Sequence, residues 1–194
     1  YHSDYAPVCK LVHAMAMPRC PRVIVVDPDT AFFQRPNVIL DWMRSDDAHA
    51  WYLHDHQDES KAVPPEAREA FSQLESQLAA PDRPWTLDRR LFNSGLLVFQ
   101  PNRFDLDLCE KYLAWRPTLD AKYRTSKCAI WFGDWTPEQT CYHVMFALAQ
   151  PPSRPLGDDY HLGGDAGHVF NHFLRHYLVQ GWTHERLRKL VAEL

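Results

Sequence analysis

A run of four β-branched apolar residues that ends in two carboxylates constrains the fold of this chain most. The run covers residues 23–26, and Asp27-Pro28-Asp29 follows it directly. A short continuous apolar run predicts a strand that is buried on both faces. Pro28 ends this strand because proline fixes φ and lacks a backbone donor. Ligands of open α/β sheets bind at the carboxyl ends of strands, so we expect a central strand that presents Asp27 and Asp29 to a ligand.

The acid pair alone has two interpretations. Carboxylate oxygens in such a position suit Mg²⁺ or Mn²⁺ ions that bridge substrate phosphates. A solvated acidic turn after a strand explains Asp27 and Asp29 equally well, because such junctions are common. The pair therefore predicts a metal site only together with other residues.

Strand-like and helix-like segments alternate along the 194 residues. Short apolar runs of strand length lie at residues 22–26, 50–54, 96–99 and 128–132. Helical periodicity occupies residues 6–16, 65–78, 104–115, 137–149 and the C-terminal segment. This alternation predicts an α/β sheet with some parallel strands, and the length suits one domain over residues 1–194. Strand 96–99 is the expected neighbour of strand 22–26.

Composition and charge exclude some partners. The formal charge is −4 and no basic run is present, which argues against an extended nucleic-acid interface. No stretch approaches the roughly 20 apolar residues of a membrane span. The five cysteines are odd in number without zinc-knuckle spacing, and no Asn-X-Ser/Thr site occurs. We expect mostly reduced, buried thiols, and both facts favour a reducing compartment.

A second polar segment, Asn93-Ser94-Gly95, leads into the apolar strand 96–99. Asn93 and Ser94 can present donors and acceptors to a ligand, and Gly95 permits close backbone approach. A β-bulge or tight turn is the structural alternative.

Two further segments carry possible ligands. Histidines are concentrated near the C-terminus, at positions 161, 168, 172 and 176. A neutral imidazole from this group could complete an oxygen-rich metal site, although a single histidine is more often structural. Thr136-Pro137-Glu138-Gln139 has the pattern of a helix start with a capping box.

The order of these segments resembles a known family. Val-Ile-Val-Val-Asp-Pro-Asp-Thr comes first, Leu-Phe-Asn-Ser-Gly-Leu-Leu-Val-Phe-Gln-Pro follows, and Thr-Pro-Glu-Gln-Thr heads a later helix. This order is similar to that of the GT-A glycosyltransferases, especially the glycogenin-like and galactinol-synthase-like group, family 8. The resemblance implies a GT-A-like mixed sheet flanked by helices. It also implies transfer of a sugar from a nucleotide-diphosphate sugar, with a UDP-sugar as the expected donor and retention at the anomeric carbon.

The resemblance assigns metal and phosphate roles. Asp27 and Asp29 match the Asp-X-Asp motif that binds Mn²⁺, or Mg²⁺ in its place, together with the donor diphosphate. His172 best matches the C-terminal histidine that completes the metal shell, and His168 is the second choice. Arg175 stands near the position of a phosphate-contacting lysine of the family.

The resemblance also assigns the sugar site. Asn93, Ser94 and Gly95 match a segment that lines the sugar. Glu138 and Gln139 match an acid–Gln pair beside the sugar, with Glu where Asp is usual. Glu138, Gln139 and Asn93 are therefore the expected catalytic residues, while the donor sugar and the acceptor stay open.

One departure from the family leaves alternatives. Only 26 residues precede Asp27, so the nucleoside-binding half of the family domain is missing from this sequence. We expect another chain, or a preceding segment, to cover the sheet edge. A catalytically inactive structural subunit of GT-A origin is one alternative function. A phosphatase of the haloacid-dehalogenase type, with Asp158 and Asp159 as its late acidic motif, is a weaker one.

Overall fold

The computed structural model describes residues 6–16, 20–54, 64–78, 92–119, 121–124, 137–163, 169–173 and 181–192. The described helices are α1 (Ala6–Met15), α2 (Asn37–Arg44), α3 (Pro65–Leu78), α4 (Leu106–Trp115), α5 (Pro137–Ala147) and α6 (Gly181–Ala192). The described strands are β1 (Val23–Val26), β2 (Thr30–Phe32), β3 (Trp51–His54), β4 (Phe92–Phe99), β5 (Arg154–Pro155), β6 (Tyr160–Leu162) and β7 (Phe170–His172). Short 3₁₀ turns cover Pro101–Arg103, Arg116–Thr118 and Ala121–Arg124. The predicted strand 128–132 lies outside the described residues.

Four strands form the larger sheet, in the order β1-β4-β3-β5. β4 pairs antiparallel with β1 and with β3, whereas β3 and β5 are parallel. The pairing of β1 with the 96–99 segment was predicted, and Val26 lies opposite Leu96. The mixed sheet with flanking helices agrees with the predicted α/β class.

The central strand is β4, not β1 as the sequence suggested. All eight residues of β4 are buried, and β4 hydrogen-bonds to a strand on each side. β1 ends the described sheet, and its residues alternate between buried and exposed, with Ile24 37% and Val26 40% exposed. The expectation of a strand buried on both faces is therefore wrong. The layer that covers Leu96 and Val98 of β4 leaves the neighbouring β1 side chains, Ile24 and Val26, partly exposed to solvent.

Two hydrophobic cores cover the faces of this sheet. The larger core packs α1, α3, α4 and α5 against one face, through residues such as Tyr52, Leu97 and Phe99. The smaller core packs Trp42 of α2 and the second sheet against the other face. Because side chains alternate along a strand, neighbouring residues of β4 serve the two cores in turn.

A second, three-stranded sheet has the order β2-β7-β6. β2 and β7 are antiparallel, and Thr30 lies opposite His172. β6 and β7 are parallel. Since β2 begins three residues after Asp27, this pairing brings the C-terminal histidine beside the acid pair.

Local sequence explains where two of the helices begin. The Asp105 side chain accepts hydrogen bonds from the backbone N–H groups of Asp107 and Leu108, which caps α4. α5 begins at Pro137. Proline is favoured at the first position of a helix because an N–H there would have no acceptor within the helix. Thr136, the predicted cap of α5, lies outside the described residues.

The cysteines are only partly as predicted. Cys109 and Cys141 are buried, and their sulfur atoms approach to 3.1 Å between α4 and α5. Cys9 and Cys20 are exposed free thiols, so the expectation of burial is wrong for these two. Cys9 lies on the exposed face of α1, whose opposite face carries the buried Leu11, Ala14 and Met15. Of the described helices, none is long and apolar enough to cross a membrane.

Candidate metal centre

The turn after β1 is tied to both sheets. The Asp27 N–H donates to the Gly95 carbonyl at 3.0 Å, which extends the β1–β4 ladder by one bond. The Thr30 hydroxyl donates to the Asp27 carbonyl at 2.7 Å. The Phe173 N–H donates to the Asp29 carbonyl at 2.7 Å. These bonds fix the backbone that carries the two carboxylates.

His172 reaches the acid pair from β7. Its Nε2 atom lies 3.2 Å from Asp29 Oδ1 and 3.8 Å from Asp27 Oδ2. One ligand atom from each of the three residues falls within a common span of 4.8 Å. The His172 side chain is 5% exposed, so the group forms a partly enclosed set of two carboxylate oxygens and one imidazole nitrogen.

Asn93 determines which nitrogen of His172 faces the carboxylates. Asn93 Oδ1 accepts a hydrogen bond from the Gly95 N–H at 2.7 Å, which identifies this atom as the amide oxygen. His172 Nδ1 lies 3.0 Å from the same oxygen and must therefore carry the proton that it donates. The unprotonated nitrogen of a neutral His172 is then Nε2, and it faces the carboxylates as a metal-ligating histidine does.

Gly95 is required by this packing. A Cβ atom at position 95 would lie 2.2 Å from His172 Nδ1 and 2.7 Å from Asn93 Oδ1. Such distances are far below van der Waals contact, so any larger residue would displace the imidazole. The group that lies close to the backbone at Gly95 is the His172 ring. The β3–β4 register also shifts here, between the pairs Tyr52–Leu97 and Leu53–Asn93, as the β-bulge alternative predicted.

The electrostatics of Asp29 reflect its histidine neighbour. Partial burial raises the pKa of Asp29, but the close contact with the His172 imidazole lowers it by more, and Lys10 adds a smaller lowering effect. The net result is an Asp29 pKa below its usual range. The carboxylate is therefore charged at neutral pH.

Lys10 of α1 joins the cluster from the opposite side, and sequence analysis missed it. Its ammonium lies 2.8 Å from Asp27 Oδ1 and 2.7 Å from Glu138 Oε1. The same ammonium donates to the Ser94 hydroxyl and carbonyl oxygens, each at 3.1 Å. One sequence feature could have drawn attention to it: Lys10 precedes the buried Ala14 by one helical turn, on a face that should otherwise be apolar.

The predicted sugar-site residues also lie together. The Ser94 N–H donates to Gln139 Oε1 at 3.4 Å, which connects the start of β4 to the start of α5. Glu138 is 5% exposed and reaches the cluster through Lys10. Asn93 and Ser94 are buried at the same strand. The Asn93-Ser94-Gly95 segment and the Glu138-Gln139 pair are thus neighbours in the fold.

The remaining predicted positions are not part of this group. His168 and Arg175 lie outside the described residues. His161 is described, and its Nδ1 lies 2.8 Å from the Gly163 carbonyl. Among the described residues, Asp158 and Asp159 are not in the group of side chains that could hold a metal ion, so the acidic motif of the phosphatase alternative is not at this site.

Comparison of the sequence with models of known protein families gives no match. Comparison with curated proteins also gives no match. The functional argument therefore depends on the chemistry of the site.

Proposed function

We propose that this chain is a metal-dependent glycosyltransferase domain that moves a sugar from a nucleotide-diphosphate sugar, a UDP-sugar in the first instance, to an acceptor with retention. One observation carries this proposal. Residues chosen from four distant segments for metal and sugar roles lie in one group, where His172 contacts Asp29 and Asn93, and Ser94 contacts Gln139.

The spacing of the ligand atoms suits a small divalent cation. Mg²⁺ ions bind oxygen at about 2.1 Å, so neighbouring ligands of an octahedral ion lie about 3 Å apart. The 3.2 Å separation between His172 Nε2 and Asp29 Oδ1 is close to this value, and the 3.8 Å separation between His172 Nε2 and Asp27 Oδ2 is somewhat longer. Two carboxylates and one imidazole suit Mn²⁺ better than Ca²⁺, which prefers oxygen ligands alone.

The charge of the cluster supports the same cation. Asp27, Asp29 and Glu138 contribute three carboxylates, and Lys10 contributes one ammonium. Two negative charges are then left without a counter-charge among these groups, which a divalent ion would neutralise. A bound metal would stabilise negative charge on the leaving diphosphate, as Lewis acids do.

The side chains around the metal ligands have separate proposed roles. Asp27 and Asp29 bind the metal, and His172 completes its shell. Asn93 fixes the His172 ring and, with Gln139, orients the donor sugar. Ser94 and the backbone at Gly95 line the sugar site, and Glu138 is the buried acid at its side.

A second candidate is a catalytically inactive structural subunit of GT-A origin. The exposed apolar side chains Ile24 and Val26 of β1 favour it, because exposed apolar surface at a strand edge is a place where another chain can pack. The two candidates differ in whether the protein binds metal and donor.

Donor hydrolysis tests the proposal. Purified protein is incubated with Mn²⁺ and a panel of UDP-sugars, and released UDP is measured against Gln139→Glu and Asp29→Asn variants. We expect slow UDP release by the wild type with at least one donor. Gln139→Glu should release much less UDP while its unfolding stability stays nearly unchanged, and Asp29→Asn should release no UDP. No release and no Mn²⁺- or UDP-dependent thermal stabilisation of the wild type would favour the structural subunit.

A further inference from the structure

Lys10 places a fixed positive charge inside the candidate metal centre, and the proposed function gives it no task. Its ammonium donates hydrogen bonds to one oxygen of Asp27 and two of Ser94, and it forms an ion pair with Glu138 at 2.7 Å. The Tyr142 hydroxyl donates to the Lys10 carbonyl at 3.2 Å, so α5 also holds the backbone of this residue. The ammonium is therefore held by α5, β4 and the end of β1 together.

We infer that Lys10 is a positioning residue that occupies Oδ1 of Asp27, restricts the metal to Oδ2, and thereby weakens metal binding. This inference rests on the metal site of the proposed function and adds a determinant of its affinity. Lys10 acts through Asp27. It does not contact Asp27 Oδ2 or Asp29 Oδ1, the oxygens that face His172.

The two oxygens of Asp27 point to different partners. Oδ1 lies 2.8 Å from the Lys10 ammonium, whereas Oδ2 is the oxygen recorded 3.8 Å from His172 Nε2. A carboxylate oxygen that accepts from an ammonium is a weaker metal ligand than the other oxygen, so we expect the metal on Oδ2. Asp29 has no such lysine contact in the described structure, and its Oδ1 faces His172 at 3.2 Å. The Asp-X-Asp pair is thus asymmetric.

Charge repulsion has a predictable direction. An ammonium beside Asp27 repels any cation that binds the opposite oxygen, and the site is only partly open to screening water. Removal of this charge should strengthen metal binding. If Lys10 served only to hold the fold together, its removal would loosen the ligands and weaken binding. The two roles therefore predict opposite changes.

Glu138 supplies the matched control. It is the second carboxylate on the Lys10 ammonium, at 2.7 Å, and it is not among the three metal-ligating residues. Glu138→Gln removes one negative charge and leaves Lys10 in place. The double variant Lys10→Met/Glu138→Gln has the same net charge as the wild type but lacks the ion pair.

The experiment is a calorimetric titration of the wild type and these three variants with Mn²⁺ alone. We expect Lys10→Met to bind Mn²⁺ on the order of tenfold more tightly than the wild type. Glu138→Gln should bind more weakly, and the double variant should lie close to the wild type. This is the pattern expected from a double-mutant cycle in which the charges of Lys10 and Glu138 change the affinity for Mn²⁺.

Thermal unfolding without and with Mn²⁺ checks that the variants fold. Lys10→Met should unfold at a lower temperature than the wild type without metal, because two carboxylates lose their counter-ion. Mn²⁺ should raise its melting temperature by more than it raises that of the wild type. A merely structural lysine would not give this larger metal response.

The outcomes separate this inference from the proposed function. If the wild type binds Mn²⁺ and Lys10→Met binds it equally or more weakly, the inference is wrong and the metal site stands. If Lys10→Met binds Mn²⁺ and the wild type does not, the inference holds, and the proposed function no longer includes a metal bound by the wild-type protein. If neither protein binds Mn²⁺, both fail.

Discussion

Two aspartate–histidine pairs in this chain have similar contacts and different surroundings. Asp47 and His49 are two residues apart in one loop, with 2.5 Å between Asp47 Oδ1 and His49 Nδ1. Asp29 lies in the turn between β1 and β2, and His172 is the last residue of β7, far away in the sequence, with 3.2 Å between Asp29 Oδ1 and His172 Nε2. The first pair is local and the second depends on the fold.

The pKa values do not distinguish the two pairs. Burial raises the pKa of each aspartate, and the close contact with the histidine lowers it by more, so that the pKa values of both aspartates lie below their usual range. For Asp47 the backbone N–H of His49 contributes one of these hydrogen bonds. A lowered carboxyl pKa beside a histidine is therefore no sufficient sign of a metal site.

Three features distinguish the pair at the candidate metal centre. A second carboxylate, Asp27, faces the same imidazole nitrogen. Asn93 fixes the proton on the other nitrogen. The His172 side chain is 5% exposed, whereas that of His49 is 22% exposed. The proposal of a metal site at His172 therefore depends on the second carboxylate and the fixed tautomer, and not on the closeness of the Asp29–His172 pair alone.

Removal of each histidine gives the largest contrast between the pairs. Metal at a hundredfold excess over its dissociation constant stabilises a folded protein by about 2.7 kcal/mol. We expect Mn²⁺ to stabilise the wild type and His49→Ala alike, and to leave His172→Ala nearly unaffected because one ligand is lost. Chemical denaturation with and without Mn²⁺ measures the difference. Equal metal responses in the two variants would contradict the distinction drawn here.

A glycine pair tests how tightly the His172 ring is packed. Gly95→Ala should lose roughly 1–3 kcal/mol of unfolding free energy, as overpacked sites do, and most of its response to Mn²⁺, because the added Cβ would overlap the imidazole. Gly157→Ala is the control, since a Cβ there meets no atom within 4 Å. Urea denaturation of both variants gives the comparison, and similar stability for the two would show that the ring has room to move.

The tautomer argument is tested at Asn93. Asn93→Leu removes the oxygen that accepts from Gly95 and His172, and loss of such a supporting group costs about 10- to 100-fold in metal affinity. Asn93→Asp keeps an acceptor oxygen and should lose much less. Calorimetric titration with Mn²⁺ ranks the two variants. A larger loss in Asn93→Asp than in Asn93→Leu would mean that the accepting oxygen is unimportant.

The smallest expected effect concerns the contribution of the Asp47–His49 pair to unfolding stability at low pH. Because the pKa of Asp47 is lowered in the folded state, its charged form stabilises the fold above about pH 4 and this contribution is lost as the pH falls further. Asp47→Asn should therefore be slightly less stable than the wild type at neutral pH, by at most about 0.5 kcal/mol. The two proteins should converge below pH 4, as urea denaturation at pH 7 and pH 3 would record. If the stability difference between the wild type and Asp47→Asn grew on acidification, the assigned direction of the Asp47 pKa shift would be wrong.

Sequence patterns predicted the local elements well and the environment of one strand poorly. The apolar stripe of α3, Ala67, Phe71, Leu74 and Leu78, is buried as its helical spacing indicated. The apolar run of β1 has the same kind of composition as a central strand, yet Ile24 and Val26 are partly exposed. Composition records how apolar a residue is, but not which elements cover it.

The candidate site was predictable only in part, for a related reason. Asp27, Asp29, Asn93, Gln139 and His172 were chosen through motif order and a family resemblance. Lys10 belongs to no motif, and its contacts with Asp27 and Ser94 span 17 and 84 residues. Contacts of this kind arise from tertiary packing, which periodicity and spacing do not record.

The location of bound Mn²⁺ tests the central claim most directly. Crystals of the protein grown with Mn²⁺ are measured at the manganese absorption edge, and the anomalous difference map is searched for the ion. We predict one peak within about 2.3 Å of Asp27 Oδ2, Asp29 Oδ1 and His172 Nε2, with the Lys10 ammonium still on Asp27 Oδ1. A map with no peak between these three residues, from crystals soaked at saturating Mn²⁺, would contradict the metal centre.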